Sequence, residues 1–482
     1  MSLDATAGSG ATMIEGASTF ERRDPLTGDV ASRAVAATPD GVDGAVATAA
    51  AAFPAWAAVG PTERRSLLLK AADVLDGMRD EFVRIMMAEI GTTEVWAAFN
   101  VKLSAGMLRE AAALTTRVGG EVIPSDKPGC LAMAIRQPAG VCLGIAPWNA
   151  PIILGTRAVA LAVACGNTAV LKASETCPGT HLLIGEVFTR AGFPDGVVTV
   201  LTHAPEDAPS VVERLIANSA IRRVNFTGST RVGRIVAELA GRHLKPALLE
   251  LGGKAPLVVL DDADLDAAVA AVAFGAFINQ GQVCMSTERV IVDTAVADDF
   301  VARLAAKASS LPSGDPRDGP VVVGSMVDEP PARRVEELIN DALEKGATRV
   351  AGGDRRNTVV PATVLDNVTA GMRIYSEESF GPVASVIRAN GVDDAVQLAN
   401  DTEYGLAAAV FGRDVGRALT VAQRIQSGIC HVNGATVHDE AQMPFGGVKG
   451  SGYGRFGGDA GIAEFTDLRW ITIETGPQHY PF

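Results

Sequence analysis

The run NQGQVCMST, residues 279–287, sets a cysteine among small and polar neighbours directly after an apolar helical stretch. An ordinary cysteine is a small buried hydrophobe. A polar turn changes that expectation, because its backbone N–H groups can face an anion forming beside the sulfur. Cys284 is therefore the candidate nucleophile, while Cys130, Cys142, Cys165, Cys177 and Cys430 lie in apolar or unremarkable runs and read as structural. A thiol nucleophile needs a base. None of the six histidines (181, 203, 243, 431, 438 and 479) stands in a motif that supplies one. Glu250 does: in LLELGGK a carboxylate sits in an apolar run before two glycines, where burial raises its pKa toward neutrality and suits it to general-base work. An ion-paired glutamate at a strand end is the plainer alternative, and on this residue alone the two are even.

Three further runs carry polar groups at expected strand ends. In APWNAP, Asn149 is either an N-cap for the helix that Pro151 opens or an amide donor to an oxyanion. In LKASE, Lys172 and Glu175 can hold a ribose between them, or form a surface ion pair of little value. In NFTGSTRVG, Gly228 and Ser229 can present donors to a pyrophosphate at a helix N-terminus. The spacing of Gly228 and Gly233 is not GxGxxG, so the usual dinucleotide fingerprint is missing.

These residues need a frame that brings strand ends together. From about residue 139 short β-branched runs alternate with helical ones (GVCLGIA, a helix from 152, NTAVLKA, a helix from 180, GVVTVL, VVERLIANS, RRVNFTG, RVGRIVAELA), which predicts a parallel sheet covered by helices, with a cleft at its carboxyl ends. A second such series starts after ELGGK, so the chain changes α/β unit near residue 250. Residues 41–117 are Ala-rich and amphipathic, and are expected to be helices packed on the first sheet. Strand-like pieces at both ends of these units read as an extension that pairs between subunits. With 482 residues and 48% hydrophobic content the chain can bury two or three cores. Its 42 Lys and Arg against 56 Asp and Glu, without a basic run, exclude a nucleic-acid footprint. The N-terminal MSLDATAGSGATMIEG lacks a signal-peptide pattern, and the apolar run 152–165 is too short for a membrane span and contains Arg157. Scattered cysteines without a CxxC pair form neither a disulfide framework nor a zinc site, so no metal is expected and a reducing cytoplasm is the expected location.

Taken in order, PWNAP, LKASE, FTGST, ELGGK, GQVC, EESFGP and PFGGVKGSG resemble the NAD(P)-dependent aldehyde dehydrogenase superfamily over nearly the whole chain. The resemblance implies a Rossmann-like cofactor domain (1–117 and 137–249), an α/β catalytic domain (250–440) and a β-strand oligomerisation extension (118–136 and 464–482), assembled as a homodimer or homotetramer. It implies Cys284 as nucleophile, Glu250 as base and Asn149 as oxyanion donor. It also implies Lys172 and Glu175 at the adenosine ribose, Gly228 and Ser229 at the pyrophosphate, Glu378 and Phe380 at the nicotinamide ribose and ring, and Trp148 as a cofactor-side wall. Ala173 departs from the proline common at its position.

The runs GATVHDEAQMPFGGVKGSGYGRFGG and LRWITIETGPQHYPF are similar to the branch acting on salicylaldehyde, vanillin and benzaldehyde. Ala150, placed where a bulkier aromatic occurs elsewhere in the family, leaves room for a ring, with Trp96, Phe99 and Phe445 as candidate walls. Core packing is the alternative for all three. Arg157, a lone guanidinium in an apolar helix, must have a partner: a ring hydroxyl or product carboxylate, or a neighbouring acid in an ion pair. Glu175 accepts from a free 2′-hydroxyl and repels a 2′-phosphate, so NAD is the expected cofactor, and Lys172 leaves NADP as the second. A CoA-acylating enzyme and a non-catalytic protein of the same fold are the alternatives; Glu250, together with Cys284 and Asn149, argues against both.

Overall fold

The computed structural model describes Leu3–Asp4 and residues 18–482; the rest of the N-terminal run read above lies outside the described residues. The first α/β series forms a six-stranded sheet with spatial order Gly452–Tyr453, Ala247–Glu250, Ile221–Thr227, Val141–Ile145, Thr168–Lys172, Val198–Leu201. All neighbours are parallel except the first pair. The strand order reverses between Val141–Ile145 and Ile221–Thr227, the place where a doubly wound sheet opens a ligand crevice. The Gly452–Tyr453 strand comes from a stretch left unassigned between the expected units. It returns to the first sheet and flanks Glu250 directly, with Gly452 as its register partner.

The second series forms a seven-stranded sheet, ordered Thr348–Ala351, Thr363–Asp366, Val383–Ala389, Thr287–Asp293, Ala255–Val259, Ala407–Phe411, Ile429–Val432. Only the edge strand Thr348–Ala351 is antiparallel. Its central strands are buried along nearly their whole length, as largely apolar runs covered on both faces must be. Because Ala247–Glu250 ends the first sheet and Ala255–Val259 opens the second, the short link LGGK crosses from carboxyl ends to amino ends. The site lies on that seam.

The N-terminal helices pack differently from the expectation. Only Pro39–Ala57 contacts the sheet; Pro61–Gly77, Arg79–Ile90 and Glu94–Leu114 instead lie against the helices Pro151–Ala164 and Pro178–Ala191. The reason is local. Every residue of Pro151–Ala164 is buried, and a helix apolar on all sides needs cover on the face turned away from the sheet. Gly120–Ile123, Cys130–Pro138 and Thr466–Glu474 form a separate antiparallel three-stranded sheet. No helix among the described residues is long and apolar enough to cross a membrane, and all six cysteines are unpaired.

Candidate active site

Cys284 follows a tight left-handed passage. The apolar helix Leu265–Phe277 ends, and Asn279, Gln280 and Gly281 then take φ of 48°, 57° and 68° in succession. Non-glycine residues hold such angles only when neighbours fix them. Gln280 Nε2 donates to the Ser325 carbonyl (2.7 Å), Gln282 Oε1 accepts from the Val327 amide (2.9 Å), and Ser286 Oγ donates to the Gly281 carbonyl (2.9 Å). Gly281 allows the passage to lie against Gly381, whose carbonyl oxygen would stand 2.1 Å from an added Cβ. The result is a half-buried Cys284 whose own amide N–H has no hydrogen-bond partner among the described residues.

Glu250 faces that thiol from the first sheet. The carboxylate is buried, and neither oxygen has a hydrogen-bond partner. Burial pushes its pKa up to about 7, against the pull of the nearby Arg157 charge and the Cys284 thiol. The thiol in turn is pushed well above its ordinary range, first by burial and then by the Glu250 charge. Gly253 keeps the two sheets close: an added Cβ would meet the Cys284 carbonyl oxygen at 2.2 Å.

Asn149 is not an N-cap. Ala150 occupies that position without a side-chain bond, and Asn149 Nδ2 instead donates 2.9 Å across the seam to the Gln282 carbonyl. A carboxamide has two N–H donors, so one stays free where the other holds Gln282, two residues before Cys284. The Asn149 carbonyl is held by Trp96 Nε1 and Asn279 Nδ2, both at 3.0 Å. Trp96 is thus buried with a polar task as well as an apolar one. Phe99 stacks on it at 5.5 Å and is 40% exposed, which is not core packing.

Arg157 finds the neighbouring acid. It forms a buried ion pair with Asp439, and its guanidinium lies 4.3 Å from the Phe445 ring centre. Phe445 is buried, and both residues line a cavity that Met107 and Phe456 also border.

The remaining residues line the carboxyl ends of the first sheet and the facing loop. Lys172 is buried with Nζ 3.7 Å from Glu175 Oε2, and Glu175 is partly exposed, so the pair runs from the interior to the surface. Ser229 caps the helix Thr230–Arg242, following Gly228, whose amide donates to the Glu250 carbonyl (3.0 Å). Ser229, Arg231, Arg334, Glu378 and Phe380 border one cavity of about 580 Å³. Trp148 meets Phe380 edge to face at 5.8 Å. Glu378 accepts from the Gly253 amide (2.8 Å), and burial, with the Glu288 charge, pushes its pKa up to about 8.

Two residues with no signal of their own hold this loop. Lys254 and Glu288 form a fully enclosed ion pair, and the Glu288 carboxylate accepts from the amides of Ser379 (2.8 Å) and Phe380 (3.1 Å). Lys254 lay within the ELGGK run; Glu288 and Asp439 acquire meaning only through partners distant in sequence.

A doubly wound sheet that delivers a partnerless carboxylate to a thiol at the mouth of a second parallel sheet defines a thiol-dependent α/β enzyme. The chain belongs to the aldehyde dehydrogenase family, whose model matches residues 13–471. It is 64% identical over 463 residues to vanillin dehydrogenase of Pseudomonas fluorescens, 96% of each chain. It is 39% identical over 461 residues to benzaldehyde dehydrogenase (NAD(+)) of Pseudomonas putida, 95% of this chain and 94% of the other. The crystal structure of a salicylaldehyde dehydrogenase from Pseudomonas putida G7 complexed with salicylaldehyde superposes with a TM-score of 0.95, at 50% identity over 96% of each chain.

Proposed function

We propose that this protein oxidises an aromatic aldehyde to its carboxylic acid with NAD, through a thioester on Cys284. The observation that carries the reading is the buried Glu250 carboxylate, with both oxygens free, facing the Cys284 thiol. Glu250 takes the thiol proton, and the thiolate attacks the carbonyl carbon. The charge that develops on oxygen is received by the free Asn149 N–H and the unpartnered Cys284 amide, roughly 3–4 kcal/mol per donor in comparable sites. Oxidation leaves the acyl group on sulfur. Glu250 passes the thiol proton to solvent and then accepts a proton from water; the hydroxide adds to the thioester, the C–S bond breaks to release the acid, and the departing thiolate takes the proton back from Glu250.

The residues present fit a dinucleotide. The 580 Å³ cavity is lined by Arg231, suited to a pyrophosphate, by Arg334, which pairs with Glu377, and by Glu378 and Glu403, beside the helix that Ser229 caps. Gly228 and Ser229 would hold the pyrophosphate, Glu378 the nicotinamide ribose, Phe380 and Trp148 the ring, and Lys172 with Glu175 the adenosine ribose. When bound, the nicotinamide supplies the hydride acceptor. Glu175 favours a free 2′-hydroxyl, hence NAD.

The three relatives named above act, by their names, on aromatic aldehydes, and this chain has groups that suit a ring: Phe445 under the Arg157 guanidinium, and the stacked Trp96 and Phe99. We assign these four to the aldehyde side. The six-stranded sheet reads as the cofactor unit, the seven-stranded sheet as the catalytic unit, and the three-stranded sheet as the contact with a second copy, in a homodimer or homotetramer. Six unpaired cysteines suit a reducing cytoplasm.

The test is NADH formation with vanillin, salicylaldehyde, benzaldehyde and hexanal, using wild type and Cys284→Ala. Wild type should turn over the aromatic aldehydes faster than hexanal, the variant should lose activity, and mass spectrometry of quenched wild type should show an acyl adduct at Cys284. An active alanine variant, or turnover that depends on added CoA, overturns the reading.

A further inference from the structure

Beneath Lys172 and Glu175 lies a histidine with no part in the chemistry just assigned. His203 follows the strand Val198–Leu201 and is fully buried. Its Nδ1 is 2.8 Å from the Ala204 carbonyl oxygen. A carbonyl only accepts, so this contact places the neutral ring's proton on Nδ1 and leaves Nε2 as a bare lone pair. Nε2 has no hydrogen-bond partner, and Glu175 Oε2 lies 3.9 Å away. Lys172 Nζ approaches that same oxygen to 3.7 Å. The Glu175 carboxylate, with 34% of its side chain exposed, therefore covers both a buried ammonium and a vacant proton site.

The charged groups facing His203 are Lys172 from the strand Thr168–Lys172, Glu175 from the turn after it, and Asp207 from the short helical turn Pro205–Asp207. Burial, then the Lys172 charge, holds the imidazole below its usual range, so the ring is neutral at pH 7. A ribose with a free 2′-hydroxyl brings no charge and leaves this arrangement as it is. A 2′-phosphate brings close to two negative charges beside a carboxylate, and a base next to such a group binds a proton more tightly.

We propose that His203 decides whether NADP is admitted: when a 2′-phosphate occupies the ribose site, Nε2 takes one proton from solvent, and the imidazolium joins Lys172 in offsetting the phosphate against Glu175. The inference rests on the assignment of Lys172 and Glu175 to the adenosine ribose. The only bond formed is N–H. Because the proton is bound in the complex and absent from the free protein, NADP affinity is greatest at low pH and is lost as pH rises through the raised value in the complex. The NADP Kd then rises by up to about tenfold per pH unit across that window, while the NAD Kd stays flat.

Isothermal titration calorimetry of the intact protein with NAD and with NADP, from pH 6.5 to 8.5 in two buffers of different ionisation enthalpy, counts the protons taken up. The expected result is an uptake approaching one proton for NADP near neutral pH and none for NAD. In His203→Asn, with folding checked by circular dichroism, the NADP count should fall to the NAD count. Equal wild-type counts for the two cofactors overturn the proposal, and that comparison stands even if the variant does not fold. An unchanged NADP count in the variant overturns it too, as does wild type that binds NAD but not NADP at every pH. Failure of both cofactors to bind, or NAD affinity unaffected by Glu175→Ala, refutes the ribose assignment itself.

Discussion

Glu250 is asked to hold a charge where charge is least welcome. Burial pushes its pKa up to about 7, which suits the proposed base to accept a proton in one step and to release it in the next. The rate of acid release should therefore rise with pH through about 7 and level off above it, and stopped-flow measurement of single turnovers checks this; Glu250→Gln should lose the rise. Linkage fixes the sign for stability. A carboxylate whose pKa is raised on folding binds protons better in the folded state, so its contribution is intact below the unfolded value near 4.5 and is lost as pH climbs through 7. The loss is of order 3 kcal/mol. Urea unfolding at pH 5 and pH 8 should show Glu250→Gln gaining on wild type at the higher pH, and an identical pH dependence for the two proteins would contradict the assignment. Cys284, Glu250 and Asn149 were legible in the sequence as candidates: type and flanks left Glu250 evenly poised between base and ion pair and Asn149 between cap and donor, and the resemblance of their motifs to the family supplied the roles. His203 and Asp439 were not. One sits in a run with no motif, and the other gains its role from Arg157, 282 positions away.

Elements carry the precision that single residues cannot. The loop after Glu377 presents Glu378 and Phe380, and Phe380 sits at φ 49°, an angle a phenylalanine does not choose. Glu288 holds it there by accepting from two successive amides while paired with Lys254. Removing one partner leaves the other charge buried alone, at a cost of about 3–5 kcal/mol. Glu288→Gln should lower stability by an amount of that order in urea unfolding and should weaken NAD binding, since the loop loses its anchor. The paired change Lys254→Met with Glu288→Leu should recover much of the stability and none of the NAD affinity. If the pair is no more stable than the single variant, the desolvation argument fails. Alternating β and α runs made Val141–Ile145, Thr168–Lys172, Val198–Leu201 and Ile221–Thr227 readable to within a few residues, since local periodicity sets them, while Thr348–Ala351, Thr363–Asp366 and Ile429–Val432 of the second sheet were not read. The two-residue strand Gly452–Tyr453 and the second helical layer depend on what the chain meets after folding, and no period announces them.

At the scale of the molecule, the sheet of Gly120–Ile123, Cys130–Pro138 and Thr466–Glu474 leaves large apolar side chains uncovered on both faces, Trp470 and Leu468 on one and Val122, Leu131 and Ile473 on the other. Register places Val122, Leu131 and Ile473 on the same face of the three-stranded sheet, and they are 73%, 41% and 48% exposed. Both outer strands of that sheet, Gly120–Ile123 and Thr466–Glu474, also present open edges. An apolar face bounded by unpaired strand edges is a template for another strand or another sheet, and three strands alone are marginal in water. The second copy proposed above would supply both needs by symmetry, since the same patch can pack on itself. Burying each such side chain contributes about 1.5–3 kcal/mol, and each contact occurs twice across a two-fold axis. Charging the face with Val122→Glu and Ile473→Glu should therefore split the assembly, giving the sedimentation coefficient of a 49.8 kDa chain. Wild type should show a thermal midpoint that climbs with protein concentration, and the double variant should not. Cys284 lies on the seam between the six-stranded and seven-stranded sheets, so the separated chain should still acylate that sulfur, even if less stably. A double variant that sediments as wild type does would mean that this face is not where copies meet.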